Sequence, residues 1–247
     1  MRDAVCVTVD VEDFYDGMAV LGHHVARPPG ARSGLAPLLE RLDAQPSKPK
    51  VTLFVVANYA PAVRGDLAAF AAAGHEIASH GPDHGRLPTS GVVEWLRTGR
   101  QMLEDLLGVP VRGFRSPRFD VPAHGGLPRY RDELAAAGYQ YVSDASRLGT
   151  RSPVCEVPVL SWRGLRVGGG SYQRLLPFSA VAAAAQRCRG PAVLYYHSYD
   201  FDGTLPGPGA MRSPMLARQL LGRGRIAPIV WRLTERFGSE TCVHATR

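Results

Sequence analysis

The chain has 247 residues, 45% of them apolar, and a formal net charge of +7 from 29 basic and 22 acidic side chains. That is enough chain to bury a core unaided, and it excludes disordered, collagen-like and disulfide-scaffold classes. Apolar stretches such as the alanine-rich run 66–73 fall far short of the ~20 residues of a bilayer span. With an opening Met-Arg-Asp and no apolar signal region, the chain reads as soluble and cytoplasmic.

In chain order, a β-branched run at 4–9 predicts a strand and 34–44 a helix. Strands at 51–56 and 76–79 precede helices at 66–73 and 90–107. A strand at 113–115 and a helix at 129–137 lead to a strand at 141–143. A helix at 180–189, a strand at 193–196 and a helix at 226–237 complete the series. Several helical runs end in glycine (Gly74, Gly108, Gly138, Gly190), a helix stop signal. The alternation implies βα units on a parallel sheet, and the length suits a closed α/β barrel. The stretch 160–177, with Gly168, Gly169 and Gly170, breaks the rhythm, and 205–214 is a Gly/Pro-rich loop. No linker or repeat divides the chain, so residues 1–247 read as a single domain with a motif core at about 4–200 and a helical segment at 215–247.

The positive charge favours acidic partners, but the arginines are scattered singly and no aromatic-basic module is present, which argues against nucleic acid. Cys6, Cys155, Cys188 and Cys242 form no CxxC pair, so reduced thiols rather than a thiolate metal site are expected.

Five segments carry chemistry, each at the end of a predicted strand, where a barrel gathers its site. The first is Thr8-Val9-Asp10-Val11-Glu12-Asp13. On an extended backbone Asp10 and Glu12 project to one side, and crowded carboxylates imply a metal or a general base, or else a solvated turn of spare acids. The second is Ser79-His80-Gly81-Pro82-Asp83-His84, whose His-x3-His pair can converge on one cation. With one acid from the first segment it would give three ligands and an open position, the pattern of a hydrolytic zinc. The third is Phe114-Arg115-Ser116-Pro117-Arg118-Phe119, whose Arg115 could fork onto Asp10 and hold it ionised. The fourth is Tyr141-Val142-Ser143-Asp144, its acid able to orient Arg115. The fifth is Val193-Leu194-Tyr195-Tyr196-His197, delivering a histidine that could protonate a leaving amine.

Taken together, in this order and spacing, the five segments resemble the polysaccharide deacetylases of the NodB-homology type, carbohydrate esterase family 4, over about residues 4–200. Asp-Val-Glu-Asp, Gly168-Gly169-Gly170 leading to Arg174-Leu-Leu-Pro177, and His197-Ser-Tyr-Asp-Phe-Asp202 resemble the branch associated with exopolysaccharide and exosortase loci. The resemblance implies a distorted (β/α)7-type barrel holding one divalent metal ion, usually Zn2+, and removing acetyl from an N-acetylated sugar. By position it makes Asp10 the general base, His80 and His84 metal ligands, Arg115 the tether of Asp10, Asp144 the support of Arg115, and His197 the general acid. Leu194 or its neighbour would line the acetyl pocket, and the backbone N–H of Arg118 would stabilise the oxyanion.

One position departs from the commoner motif of two adjacent aspartates, because Val11 follows Asp10. The third ligand is then Glu12, which shares the face of Asp10, or Asp13. Tyr15, Phe119, Trp162, Tyr172, Tyr196 and Tyr199 are aromatic candidates for stacking on sugar faces. The leading expectation is a zinc-dependent N-acetylhexosamine deacetylase. A hydrolase of a non-sugar C–N bond, allantoinase-like, and a catalytically dead glycan-binding module are the alternatives. Selectivity is expected from the irregular segments 16–32, 147–177 and 200–214; oligomeric state is not readable from the sequence.

Overall fold

The computed structural model describes residues 4–20, 22, 25–26, 33–122, 126–144, 153–205 and 220–246. The expected selectivity segments lie partly outside them. Seven parallel strands form one curled sheet in the order β6-β5-β4-β3-β2-β1-β7. They are β1 Cys6–Val11, β2 Thr52–Val55, β3 Glu76–Ser79, β4 Gly113–Phe114, β5 Tyr141–Val142, β6 Cys155–Glu156 and β7 Val193–His197. Beyond β6 the chain runs from one sheet edge to the other. Val157 and Val159 donate to Val142 and Asp144 after β5, and Leu160 donates to Val193 of β7. This is a distorted (β/α)7-type barrel in a single α/β domain.

Around it lie α1 Phe14–Val20, α2 Leu35–Asp43, α3 Arg64–Ala72, α4 Val92–Leu107, α5 Leu127–Ala136, α6 Gly170–Gln173, α7 Phe178–Arg187, α8 Ile226–Phe237 and α9 Cys242–Ala245. Each long helix turns an apolar stripe to the sheet: Leu35, Leu38 and Leu42 on α2, Leu96 and Leu103 on α4. The short elements β6, α1, α6 and α9 are absent from the sequence-based expectation, because two to seven residues carry too little periodicity. No disulfide forms among the described residues; Cys6 and Cys242 are buried and Cys155 is exposed.

Strand parity decides which side chains reach the barrel interior. On β1 the odd-numbered Val5, Val7, Val9 and Val11 pack outward with Leu35, Leu38 and Leu42, while Cys6 packs inward with Phe54, Ala78 and Tyr195. Asp10 and Glu12 share the parity of Cys6, so they continue the inner row into the mouth. At the opposite end α9 plugs the barrel, Cys242 and Val243 donating backbone N–H groups to Thr52 Oγ1 and Glu76 Oε2.

Gly81 and Gly99 hold the loop after β3. Gly81 has φ +85°, and a Cβ there would come within 2.6 Å of Trp95; a Cβ on Gly99 would sit 2.7 Å from the Pro82 nitrogen. Only glycine at both lets α4 approach the segment that carries His84.

Candidate metal centre and catalytic cleft

The donor atoms of Glu12, His80 and His84 lie within 4.8 Å of one another. His80 Nδ1 donates to the Arg115 carbonyl at 2.9 Å, which leaves the Nε2 lone pair facing the cleft, 3.9 Å from Asp10 Oδ2. His84 Nε2 stands 2.5 Å from Glu12 Oε2. Beyond that close contact, buried Glu12 Oε2 and His84 Nδ1 have no hydrogen-bond partner. Lone pairs aimed at one point in this way fit a shared cation. Ionisation agrees. Burial pushes the Glu12 carboxyl up, but His84, His197 and His80 outweigh it and bring it down to about 2. Burial pushes His80 below its ordinary value, toward the neutral form a metal takes.

Asp13, the alternative ligand, is engaged elsewhere. Its Oδ1 accepts the N–H groups of Tyr15 and Asp16 at 2.8 and 3.0 Å, capping the start of α1. One residue past Glu12, it has the opposite parity.

Arg115 is fully buried and every arm of its guanidinium is used. Nη1 meets Asp10 Oδ1 at 2.6 Å and Thr8 Oγ1 at 2.9 Å; Nε donates to the Ser143 carbonyl at 2.9 Å and Nη2 to Ser143 Oγ at 2.8 Å. Its face lies over the Phe54 ring, 4.1 Å from the centroid. Asp144 makes no hydrogen bond to Arg115, contrary to expectation. It has outward parity, and its Oδ1 accepts the N–H and O–H of Ser116 at 3.0 and 2.5 Å while Oδ2 accepts from Tyr130. Ser143, of inward parity, orients the guanidinium.

His197 ends β7 on the far wall, Nε2 3.6 Å from Glu12 Oε1 and Nδ1 3.7 Å from Asp200 Oδ2. Tyr199 stacks on its ring at 4.7 Å between centroids. Burial pushes the imidazole down, but the Asp200 hydrogen bond and the Glu12, Asp200 and Asp10 charges overcome it and raise the pKa to about 9, so it holds a proton. Asp200 is itself gripped by Arg174 Nη2 at 2.6 Å and by the His197 N–H at 3.0 Å. The sequence reading assigned no role to Asp200 or Arg174. The signal for both lay in the 168–177 and 197–202 segments, which this ion pair joins.

Asp10, Glu12, His80, His84, His197 and Tyr199 wall a cleft of about 240 Å³, to which Arg118, Phe119, Arg166 and Tyr195 also contribute. Leu194 and Tyr196 do not line it. They share outward parity, and Tyr196 donates its hydroxyl to buried Gln173 Oε1 at 2.8 Å, leaving Tyr195 as the neighbour that faces inward. Tyr172 does not line it either; on the single turn of α6 Ser171 faces the cleft and Tyr172 is exposed.

Residues 30–142 match the family model described as polysaccharide deacetylase, and His80, His84 and Arg115 fall inside the match. Over that segment the chain is similar to the polysaccharide deacetylases. Residues 128–246 match a second model, described as a domain of unknown function (DUF3473), which covers Asp200, Arg174 and His197. No curated protein matches in sequence. Among solved structures, one described as a polysaccharide deacetylase from Mycobacterium smegmatis is 22% identical with a TM-score of 0.60, over 97% of this chain and 93% of its own. An allantoinase, PuuE, is 17% identical with a TM-score of 0.60, over 99% and 89%. A CE4 family pseudoenzyme from Bacillus anthracis is 13% identical with a TM-score of 0.54, over 100% and 66%. At these identities the likeness is one of fold, and three functions share that fold.

Proposed function

We propose that this chain is a polysaccharide deacetylase that removes the acetyl group from an N-acetylhexosamine-containing saccharide, with one divalent metal, Zn2+, held by Glu12, His80 and His84. The observation that carries the reading is the convergence of those three donors between the Arg115-held Asp10 and the protonated His197. A nitrogen and oxygen set of three protein ligands suits a catalytic zinc, which when bound would polarise the amide carbonyl and make water a nucleophile near neutral pH. Asp10, aimed by Arg115, takes the proton of the attacking water. His197, its proton secured by Asp200, delivers a proton to the departing amine. The backbone N–H of Arg118, in a left-handed turn at φ 59° on the cleft wall, supports the developing oxyanion. Asp10→Asn therefore abolishes acetate release while metal content stays near one per chain, and His80→Ala loses the metal itself. Turnover in Asp10→Asn, or full metal occupancy in His80→Ala, removes those residues from these roles.

A further inference from the structure

Several arginines described on this protein are answered by an acceptor. Arg115 meets Asp10, Arg174 meets Asp200, Arg131 meets Glu156, Arg100 meets Glu104 and Arg223 meets three carbonyl oxygens. Arg118 and Arg166 are different. Both line the catalytic cleft, and among the described residues neither has a carboxylate within ion-pair distance. The Arg166 guanidinium lies over the Phe119 ring, 5.4 Å from its centroid. Arg118 is held at φ 59° and Phe119 at φ 54°, two consecutive non-glycine residues in the left-handed region. Such backbone strain collects at functional sites. The cleft's own acids are already committed, Asp10 to Arg115 and Glu12 to the three-donor cluster.

We infer that the cleft selects an anionic saccharide: Arg118 and Arg166 receive a carboxylate or phosphate carried beside the N-acetyl group. Guanidinium matches both oxyanions bidentately, and both arginines line the same cleft as Asp10, Glu12, His80, His84 and His197. The inference rests on the deacetylase reading for the identity of the sugar, but not for the anion preference.

The test compares N-acetylmuramic acid, N-acetylglucosamine 6-phosphate and neutral N-acetylglucosamine, by calorimetric binding to zinc-loaded protein and by acetate release. The anionic sugars are expected to bind at least tenfold more tightly than the neutral one, the order of one charge-assisted hydrogen bond. Arg166→Gln and Arg118→Gln each remove most of that ratio, and Arg166→Lys restores part of it. The better of the two acids identifies carboxylate or phosphate as the group read. Equal binding of charged and neutral sugars, no binding of either acid, or a ratio that survives both glutamine substitutions overturns the inference. Arginine-dependent anion binding without acetate release from any sugar keeps it and removes the deacetylase reading, whereas acetate release without charge preference does the reverse.

Discussion

Replacing Arg115 by methionine isolates the interaction on which the cleft is built. The substitution keeps an apolar stem beside Phe54 but strands the Asp10 carboxylate, 3% exposed, with its 2.6 Å partner gone. Breaking a buried pair from one side costs about 3–5 kcal/mol. For a domain of this size that lowers Tm by roughly 6–20 °C. In an Asp10→Asn background no charge is stranded, and the same replacement loses chiefly the bonds to Thr8 and Ser143, at about 1 kcal/mol each. A double-mutant cycle should therefore return a coupling of about 1 kcal/mol between the two positions. Urea unfolding of chelator-treated protein is the assay, because bound metal would add its own stabilisation. Equal losses in both backgrounds would refute the argument that Arg115 exists to hold the Asp10 side chain.

Glu12→Gln should weaken zinc affinity at least tenfold, whereas Asp13→Asn should leave zinc binding intact and cost at most about 1 kcal/mol, the scale of a weakened cap, both read by metal titration and melting. His75 carries a pH signature far from the cleft: burial, with help from Lys50, pushes its imidazole down from 6.5 to about 4, and Nδ1 accepts the Val51 N–H. The unfolded chain gains a proton near pH 6.5 that the folded one refuses until about pH 4, so stability falls as pH drops through that window. The loss is about 2 kcal/mol by pH 5. His75→Asn keeps an acceptor for Val51 and should flatten that segment of the profile in urea titrations; an unchanged slope would count against it. Gly81→Ala, strained at φ +85° and pressed on Trp95, should lower both Tm and zinc affinity by displacing the loop between His80 and His84.

The strands that bear the site were legible because a parallel sheet buried on both faces writes itself as short, largely apolar runs, and β1, β2 and β7 do so. Asp10, Glu12, His80, Arg115 and His197 were legible for a related reason: each sits at the carboxyl end of a strand, where the barrel opens. What escaped was finer. In Leu194-Tyr195-Tyr196 the apolar run hides the alternation, and pairing with β1 decides that Tyr195 turns inward while its neighbours join the outer core. Asp144 and Ser143 differ by one residue and therefore by one face. Asp200 reaches His197 through a 3-10 turn at Ser198–Phe201, and its partner Arg174 lies 26 residues away in sequence, a pairing no local pattern encodes. The Gly/Pro-rich loop at 205–214 lies mostly outside the described residues.

Metal content and acetate release measured on one preparation test the central claim most directly. Elemental analysis before and after chelation and zinc add-back would be paired with acetate release from N-acetylglucosamine oligomers and from the acidic sugars. The account predicts close to one metal per chain, and acetate release that disappears on chelation and returns in proportion to zinc. Failure to take up metal under any loading condition would contradict it, and so would acetate release indifferent to occupancy.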